Sequence, residues 1–137
     1  MAFVYGCFHL AFIIPNLIYA HEGSACVTTI PDGFSFNLST WLQVDAYLRI
    51  AITVLLFIAA ISSCCSITAG IFCGTATLFI IMIYSLFAIA WTIVGSVLFW
   101  GKLKPTGICT GGVHDYMYAL LILSYIGICC MSFAQCM

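Results

Sequence analysis

Residues 68–100 read TAGIFCGTATLFIIMIYSLFAIAWTIVGSVLFW and contain no charged side chain. A helix of about 30 residues is roughly 45 Å long, which exceeds the hydrocarbon core of a bilayer, about 30 Å. We therefore predict a transmembrane helix that tilts strongly or projects beyond the membrane. Trp91, Phe99 and Trp100 fit an interfacial aromatic belt at its C-terminal end.

Three further apolar stretches predict helices at about 2–20, 41–61 and 115–134. A cleaved signal peptide is the alternative for the first stretch, but no basic residue opens it and Ile18 fits poorly at the minus-three position. Pro15 should kink this first helix. We also predict a short uncharged turn over residues 62–66 and a loop over residues 101–114.

The composition sets the class of protein. Hydrophobic residues make up 65% of the chain and charged residues 5%, whereas soluble domains carry about 25% charged residues. The net charge of -1 argues against a nucleic-acid partner. The 137 residues leave room for about four spans in a lipid bilayer and for no separate soluble domain. The sequence therefore predicts an all-α membrane protein, a four-transmembrane-helix bundle that forms one domain over residues 1–137.

Four spans would place both loops, at about 21–43 and 101–114, on one side of the membrane and both termini on the other. The residues that can carry charge near neutrality cluster on the loop side, and only His9 lies elsewhere. The clustered residues are His21, Glu22, Asp32, Asp45, Arg49, Lys102, Lys104, His114 and Asp115.

Each loop carries one cysteine, Cys26 in the first and Cys109 in the second. Two single cysteines on one side predict a disulfide if that side is oxidising, and two free thiols are the alternative. Asn37 opens an N-glycosylation sequon, for which an unused match is the alternative.

The orientation follows from these loops. All three lysine and arginine residues lie on the loop side, which by the positive-inside rule would make it cytosolic. Three charges are few, and Asp45 can neutralise Arg49 four residues later. We predict loops outside and cytosolic termini, in the plasma membrane or the secretory pathway.

Seven of the nine cysteines lie towards the opposite side. Cys64, Cys65 and Cys136 are candidates for palmitoylation, which anchors a membrane-proximal cysteine to the leaflet. The alternative is that cysteine packs as a small apolar residue, and we favour it for Cys7 and Cys73. No metal site is predicted, because neither histidine nor carboxylate accompanies these thiols.

A few polar and small residues interrupt the apolar spans. Asp45 and Arg49 predict an ion pair within the helix, with a structural role favoured over a functional one. His9 is expected to hydrogen-bond a neighbouring helix rather than relay protons. Gly70, Gly74 and Gly95 predict close helix packing, either within one bundle or between protomers.

The chain resembles the transmembrane protein 272-like family of small four-span proteins. The resemblance rests on residues 91–97 (WTIVGSV), on Cys109 followed by the aromatic-rich segment 116–126, and on Cys26 followed by residues 41–44 (WLQV). It implies the four-span topology and a disulfide between the loops, and no firm activity.

No catalytic motif and no cofactor site is predicted, so we expect a protein that is not an enzyme. The favoured function is a structural or accessory subunit that packs against other membrane proteins or copies of itself. One alternative is an oligomeric pore or transporter lined by Asp45, Arg49 and Thr53 or by Thr75 and Thr77. A weaker alternative is a small subunit of an organelle respiratory complex.

Overall fold

The computed structural model describes residues 2–136, with the side chains of residues 6–130. All regular elements of this part of the chain are helical. The α-helices are α1 (Ala2–Ala20), α2 (Ala25–Thr28), α3 (Leu38–Cys65), α4 (Ile67–Ser96) and α5 (Gly112–Cys136). A π-helical segment (Val97–Leu103) and a 3-10 turn (Lys104–Thr106) continue directly from α4.

Helix α3 is longer at both ends than the sequence predicts. It begins at Leu38 because Asn37 caps it: the side-chain oxygen of Asn37 accepts hydrogen bonds from the backbone N–H and the hydroxyl of Thr40, both 3.0 Å. Its C-terminal end lies at Cys65, so the prediction of a turn over residues 62–66 was wrong. Only Ser66, with an extended backbone, separates α3 from α4. The hydroxyl of Ser63 bonds the carbonyl of Ala59 one turn earlier, which lets a polar residue stay in the helix.

The predicted loop over residues 101–114 was also too long. Helical backbone runs without a break from Ile67 to Thr106 and stops at Gly107, whose φ of 73° is left-handed. Lys102 and Lys104 therefore lie on the end of this helix rather than in a loop.

Within the described residues, three helices are long and apolar enough to cross a membrane: Leu38–Cys65, Ile67–Thr106 and Gly112–Cys130. The part of α1 whose side chains are described, Gly6–Ala20, is apolar but shorter. The structure thus shows an all-helical protein with three membrane-span-like helices.

The buried core lies at the loop end of the helices. Its largest fully buried side chains include Trp41 and Leu42 of α3, Phe99 of the π-helical segment and Met117 of α5. Cys26 and Cys109 are bonded within this core, with their Cα atoms 4.7 Å apart. The bond joins short helix α2 to the segment before α5, so it holds the two loops together.

Two hydrogen bonds between Trp41 and Trp91 join helices α3 and α4. The indole N–H of Trp41 donates to the carbonyl of Trp91 at 3.0 Å, and that of Trp91 donates to the carbonyl of Trp41 at 3.4 Å. The close approach needs Gly95, because a Cβ there would overlap the Trp41 indole. Gly95 therefore packs within one chain.

The other two packing glycines behave differently. A Cβ on Gly70 would lie 3.0 Å from the Cα of Ser63, across the turn between α3 and α4. A Cβ on Gly74 would meet no described atom within 4 Å. Gly70 and Gly74, four residues apart on α4, thus do not pack as a unit inside this chain.

Candidate functional site: a polar network between the helices

Asp45 and Arg49 form an ion pair on the face of α3 that packs against α1. The Nε of Arg49 lies 2.6 Å from Oδ2 of Asp45, and the two side chains are 9% and 15% exposed. Four residues apart, they share one face of the helix. Charges removed from water in this way need close partners, since an isolated charge in an apolar interior costs several kcal/mol, on the order of the whole stability of a small domain.

Asn16 of α1 extends the pair to two more helices. Its amide N–H donates to Oδ2 of Asp45 at 2.6 Å, and its carbonyl oxygen accepts from the hydroxyl of Tyr116 in α5 at 2.5 Å. Asn16 is completely buried. One chain of hydrogen bonds therefore connects α5, α1 and α3, and we call these four residues, Asn16, Asp45, Arg49 and Tyr116, the polar network.

His9 and Phe12 of α1 border the other side of Arg49. Nη1 of Arg49 lies 3.4 Å from Nδ1 of His9, and the guanidinium carbon lies 5.1 Å from the centre of the Phe12 ring. An arginine over an aromatic face gains a cation–π attraction. The structure thus places His9 beside a polar partner on a neighbouring helix.

Two members of the polar network were not predicted from the sequence. Asn16 follows Pro15 in an apolar span, and a buried amide there was a usable signal because buried polar groups need partners. Tyr116 lies among other aromatic residues of α5 and gave no signal of its own. Its ring also stacks on Tyr19, with centres 4.6 Å apart, which brings α5 against α1.

A cavity of about 220 Å³ adjoins the polar network between α1, α3, α4 and α5. Asp45, Arg49 and His9 contribute to its lining, as do Ser85 of α4 and Ser124 of α5. The remaining lining is mostly apolar. Charged side chains thus form part of its lining, whereas a second cavity, on the outer face of α4 around Phe72 and Phe79, is lined by apolar and threonine side chains.

The sequon lies at the start of α3 rather than in an open loop. The Asn37 amide N–H donates to the carbonyl of Thr28 at 3.3 Å, while its oxygen caps the helix. The hydroxyl of Ser39 bonds the carbonyl of Ala20 at 2.5 Å. Two sequon residues, Asn37 and Ser39, thus connect the start of α3 to α2 and to the end of α1.

The remaining predicted residues lie apart from the polar network. Cys64 and Cys65 are exposed at the turn between α3 and α4, and Cys73 is half-buried. Cys7 is exposed, and nothing described packs it as a core residue. The side chain of Cys136 lies outside the described residues. Among those that are described, no group of three histidine, cysteine or acidic residues could hold a metal ion.

Comparison with family models, with curated proteins and with solved structures finds no match. The resemblance to the transmembrane protein 272-like family therefore stays a prediction. The polar network joins α1, α3 and α5 through buried polar side chains, and Asp45 and Arg49 also line the adjoining cavity.

Proposed function

We propose that this chain is a four-span membrane protein that serves as a non-enzymatic structural subunit of a larger membrane assembly. The observation that supports it best is the closed polar network. Asp45 and Arg49 are satisfied by each other and by Asn16 of the same chain. A subunit of a pore lined by α3 would instead direct such charges towards a shared axis.

The exposed side of α4 is the proposed contact with a partner protein. Between the turn and the middle of the helix it exposes large apolar side chains on several faces, among them Ile71, Phe72, Leu78 and Phe79. Gly74 lies in the same stretch with no described atom near its Cβ position. Small residues beside large ones let a second helix approach closely within a bilayer. Another membrane protein, or a second copy of this chain, is the partner that fits this surface.

The proposed topology places both loops outside the cytosol and both termini inside it. A disulfide between the loops requires an oxidising compartment, and Cys26 and Cys109 are bonded. The plasma membrane or the secretory pathway meets this requirement. On this topology Asn37 is accessible to the glycosylation machinery during synthesis, and Cys64 and Cys65 face the cytosolic leaflet, where acylation takes place.

Photo-crosslinking in the source membrane tests the assembly surface. A photoreactive amino acid at Phe79 in α4 should yield crosslinks to protein. The same amino acid at Ile14 in α1 is the matched control, because Ile14 is 67% exposed and Phe79 61%. Protein adducts at Phe79 with lipid adducts at Ile14 are expected. Lipid adducts alone at both positions would overturn the proposal.

A conductance measurement tests the pore alternative. If α3 lines an ion path, Asp45→Asn should change the conductance or the ion preference of the reconstituted protein. The structural proposal expects no conductance above that of protein-free bilayers, with or without the substitution.

A further inference from the structure

The cavity beside the polar network opens towards lipid. Its apolar lining includes Phe8 of α1 and Met82 and Leu86 of α4. Met82 is 54% exposed and Leu86 is 68% exposed. On the loop side of the cavity-lining residues of α4, a hydrogen bond of 2.7 Å between Ser96 and Tyr125 joins α4 to α5. A molecule would therefore enter sideways, from the hydrocarbon of the bilayer.

The polar wall of the cavity carries one negative and one positive group. Arg49 is more than nine-tenths buried and lines the cavity together with Asp45. Oδ2 of Asp45 accepts hydrogen bonds from Asn16 and Arg49. A carboxylate has about four acceptor sites and a guanidinium five N–H donors, so both groups can bind a further partner. The wall thus offers an acceptor at the carboxylate and donors at the guanidinium.

Because this wall carries one charge of each sign, it disfavours a lipid head group with a net charge. A fully anionic or cationic head would be attracted by one member of the ion pair and repelled by the other. An alcohol is uncharged and has both a donor and an acceptor, so one hydroxyl can donate to Asp45 and accept from Arg49. Ser85 and Ser124 also line the cavity. The Ser85 hydroxyl donates to the carbonyl of Ile81, but its oxygen, like that of Ser124, can accept a hydrogen bond from such a head.

We propose that this cavity binds the hydroxyl head of an uncharged membrane lipid, of the sterol or diacylglycerol kind. About 220 Å³ is less than the roughly 300–1,000 Å³ of sites that enclose a whole drug-sized molecule. Only the head and the adjoining hydrocarbon enter, and the rest of the lipid stays in the bilayer against Met82 and Leu86. This site does not depend on the proposed assembly, because all its walls belong to one chain.

Competitive photolabelling of the full chain in phosphatidylcholine vesicles tests the proposal. The probes are a photoreactive, alkyne-tagged sterol, a diacylglycerol with the same tags and a tagged fatty acid as the anionic probe. Labelling by at least one of the two alcohols should be saturable and should fall on α4 near Ile89 or on α5 near Ser124. Whichever alcohol labels identifies the lipid class, and its methyl ether should compete at least several-fold more weakly.

A cavity-filling variant makes the test specific. A Cβ on Gly127, which lines the cavity, meets no described atom within 4 Å, so Gly127→Leu should fill the cavity without moving the backbone. Labelling should drop at least fivefold. Gly74→Leu is the matched control, since Gly74 is equally open but lies outside the cavity, and it should label like the unchanged chain.

Three results would overturn the proposal: no saturable labelling by either alcohol, stronger labelling by the fatty acid, or undiminished labelling of a folded Gly127→Leu variant. An intact Cys26–Cys109 bond and an unchanged thermal transition serve as the criteria of folding. If Gly127→Leu does not fold, Ile89→Trp fills the cavity from α4 and is subject to the same criterion.

Discussion

The amide of Asn16 donates a 2.6 Å hydrogen bond to the carboxylate of Asp45, and this contact fixes how α1 lies on α3. The same carboxylate oxygen accepts from Arg49, and the carbonyl oxygen of Asn16 accepts from Tyr116. A completely buried amide thus serves two helices at once. Because the N–H and the carbonyl oxygen of Asn16 both form hydrogen bonds, removing this side chain takes one partner from Asp45 and one from Tyr116.

Replacing Asn16 should destabilise the bundle more than replacing Tyr116. Asn16→Leu removes the donor to Asp45 and the acceptor of Tyr116, and each buried group left without a partner costs about 1–3 kcal/mol. Tyr116→Phe leaves one such group, the carbonyl oxygen of Asn16, and should therefore cost about half as much as Asn16→Leu. Equilibrium unfolding in mixed micelles measures both. Equal stabilities for Asn16→Leu and the unchanged chain would show that the hydrogen bonds do not form.

The ion pair should show strong coupling in a double-mutant cycle. Arg49→Met leaves the Asp45 carboxylate without its cation and should cost about 3–5 kcal/mol, the range for breaking a buried pair. Asp45→Leu combined with Arg49→Met removes both charges and should recover part of that loss. The comparison uses the same unfolding measurement. Additive effects of the two single changes would refute a direct interaction between these residues.

The glycine at position 95 should tolerate no side chain. Gly95→Ala places a Cβ in the volume of the Trp41 indole and should cost about 1–3 kcal/mol, the usual range for overpacking. Gly74→Ala meets no described atom and serves as the control, with no loss of stability expected in the isolated chain. Thermal unfolding followed by tryptophan fluorescence distinguishes them, because Trp41 and Trp91 report the contact directly. A loss at Gly74 equal to that at Gly95 would contradict the packing described above.

Reduction of the disulfide should loosen the loop end and reveal its side of the membrane. Cys26 and Cys109 are 83 positions apart, and closing a loop of that length stabilises a fold by about 4.5 kcal/mol in the chain-entropy model. A membrane-impermeant reductant added to intact cells should make Cys26 reactive to an impermeant maleimide. Cys64 should react only after the membrane is made permeable. The reverse pattern would place the loops in the cytosol.

The sequence predicts the helical class and the pairing of the two loops more readily than the helix ends. Long apolar runs and one cysteine in each loop carry that information locally. The predicted C-terminal end of α3 was too early because polar residues there remain helical. The hydroxyl of Ser63, for example, donates to the carbonyl of Ala59 in the same helix. Asn37 is a polar residue directly before an apolar run, which is the usual pattern of a helix N-cap, so this boundary could have been predicted.

The polar network shows why the rest could not be predicted. Asp45 and Arg49 are four residues apart, so helix geometry alone pairs them. Asn16 lies 29 positions from Asp45 and 100 from Tyr116, and those contacts depend on the rotation of each helix against its neighbour. That rotation follows from side-chain packing across the whole interface, which no local pattern encodes. The cavity next to the network arises from the same packing.

We propose above all that this chain is a subunit of a larger membrane assembly, with its polar network satisfied inside one helix bundle. Native mass spectrometry of the protein, released from its source membrane in lipid-retaining particles without harsh detergent, tests it most directly. The chain should emerge in complex with other membrane proteins or with a fixed number of its own copies. Recovery of the isolated monomer alone, from membranes in which a known complex survives the same release, would contradict it.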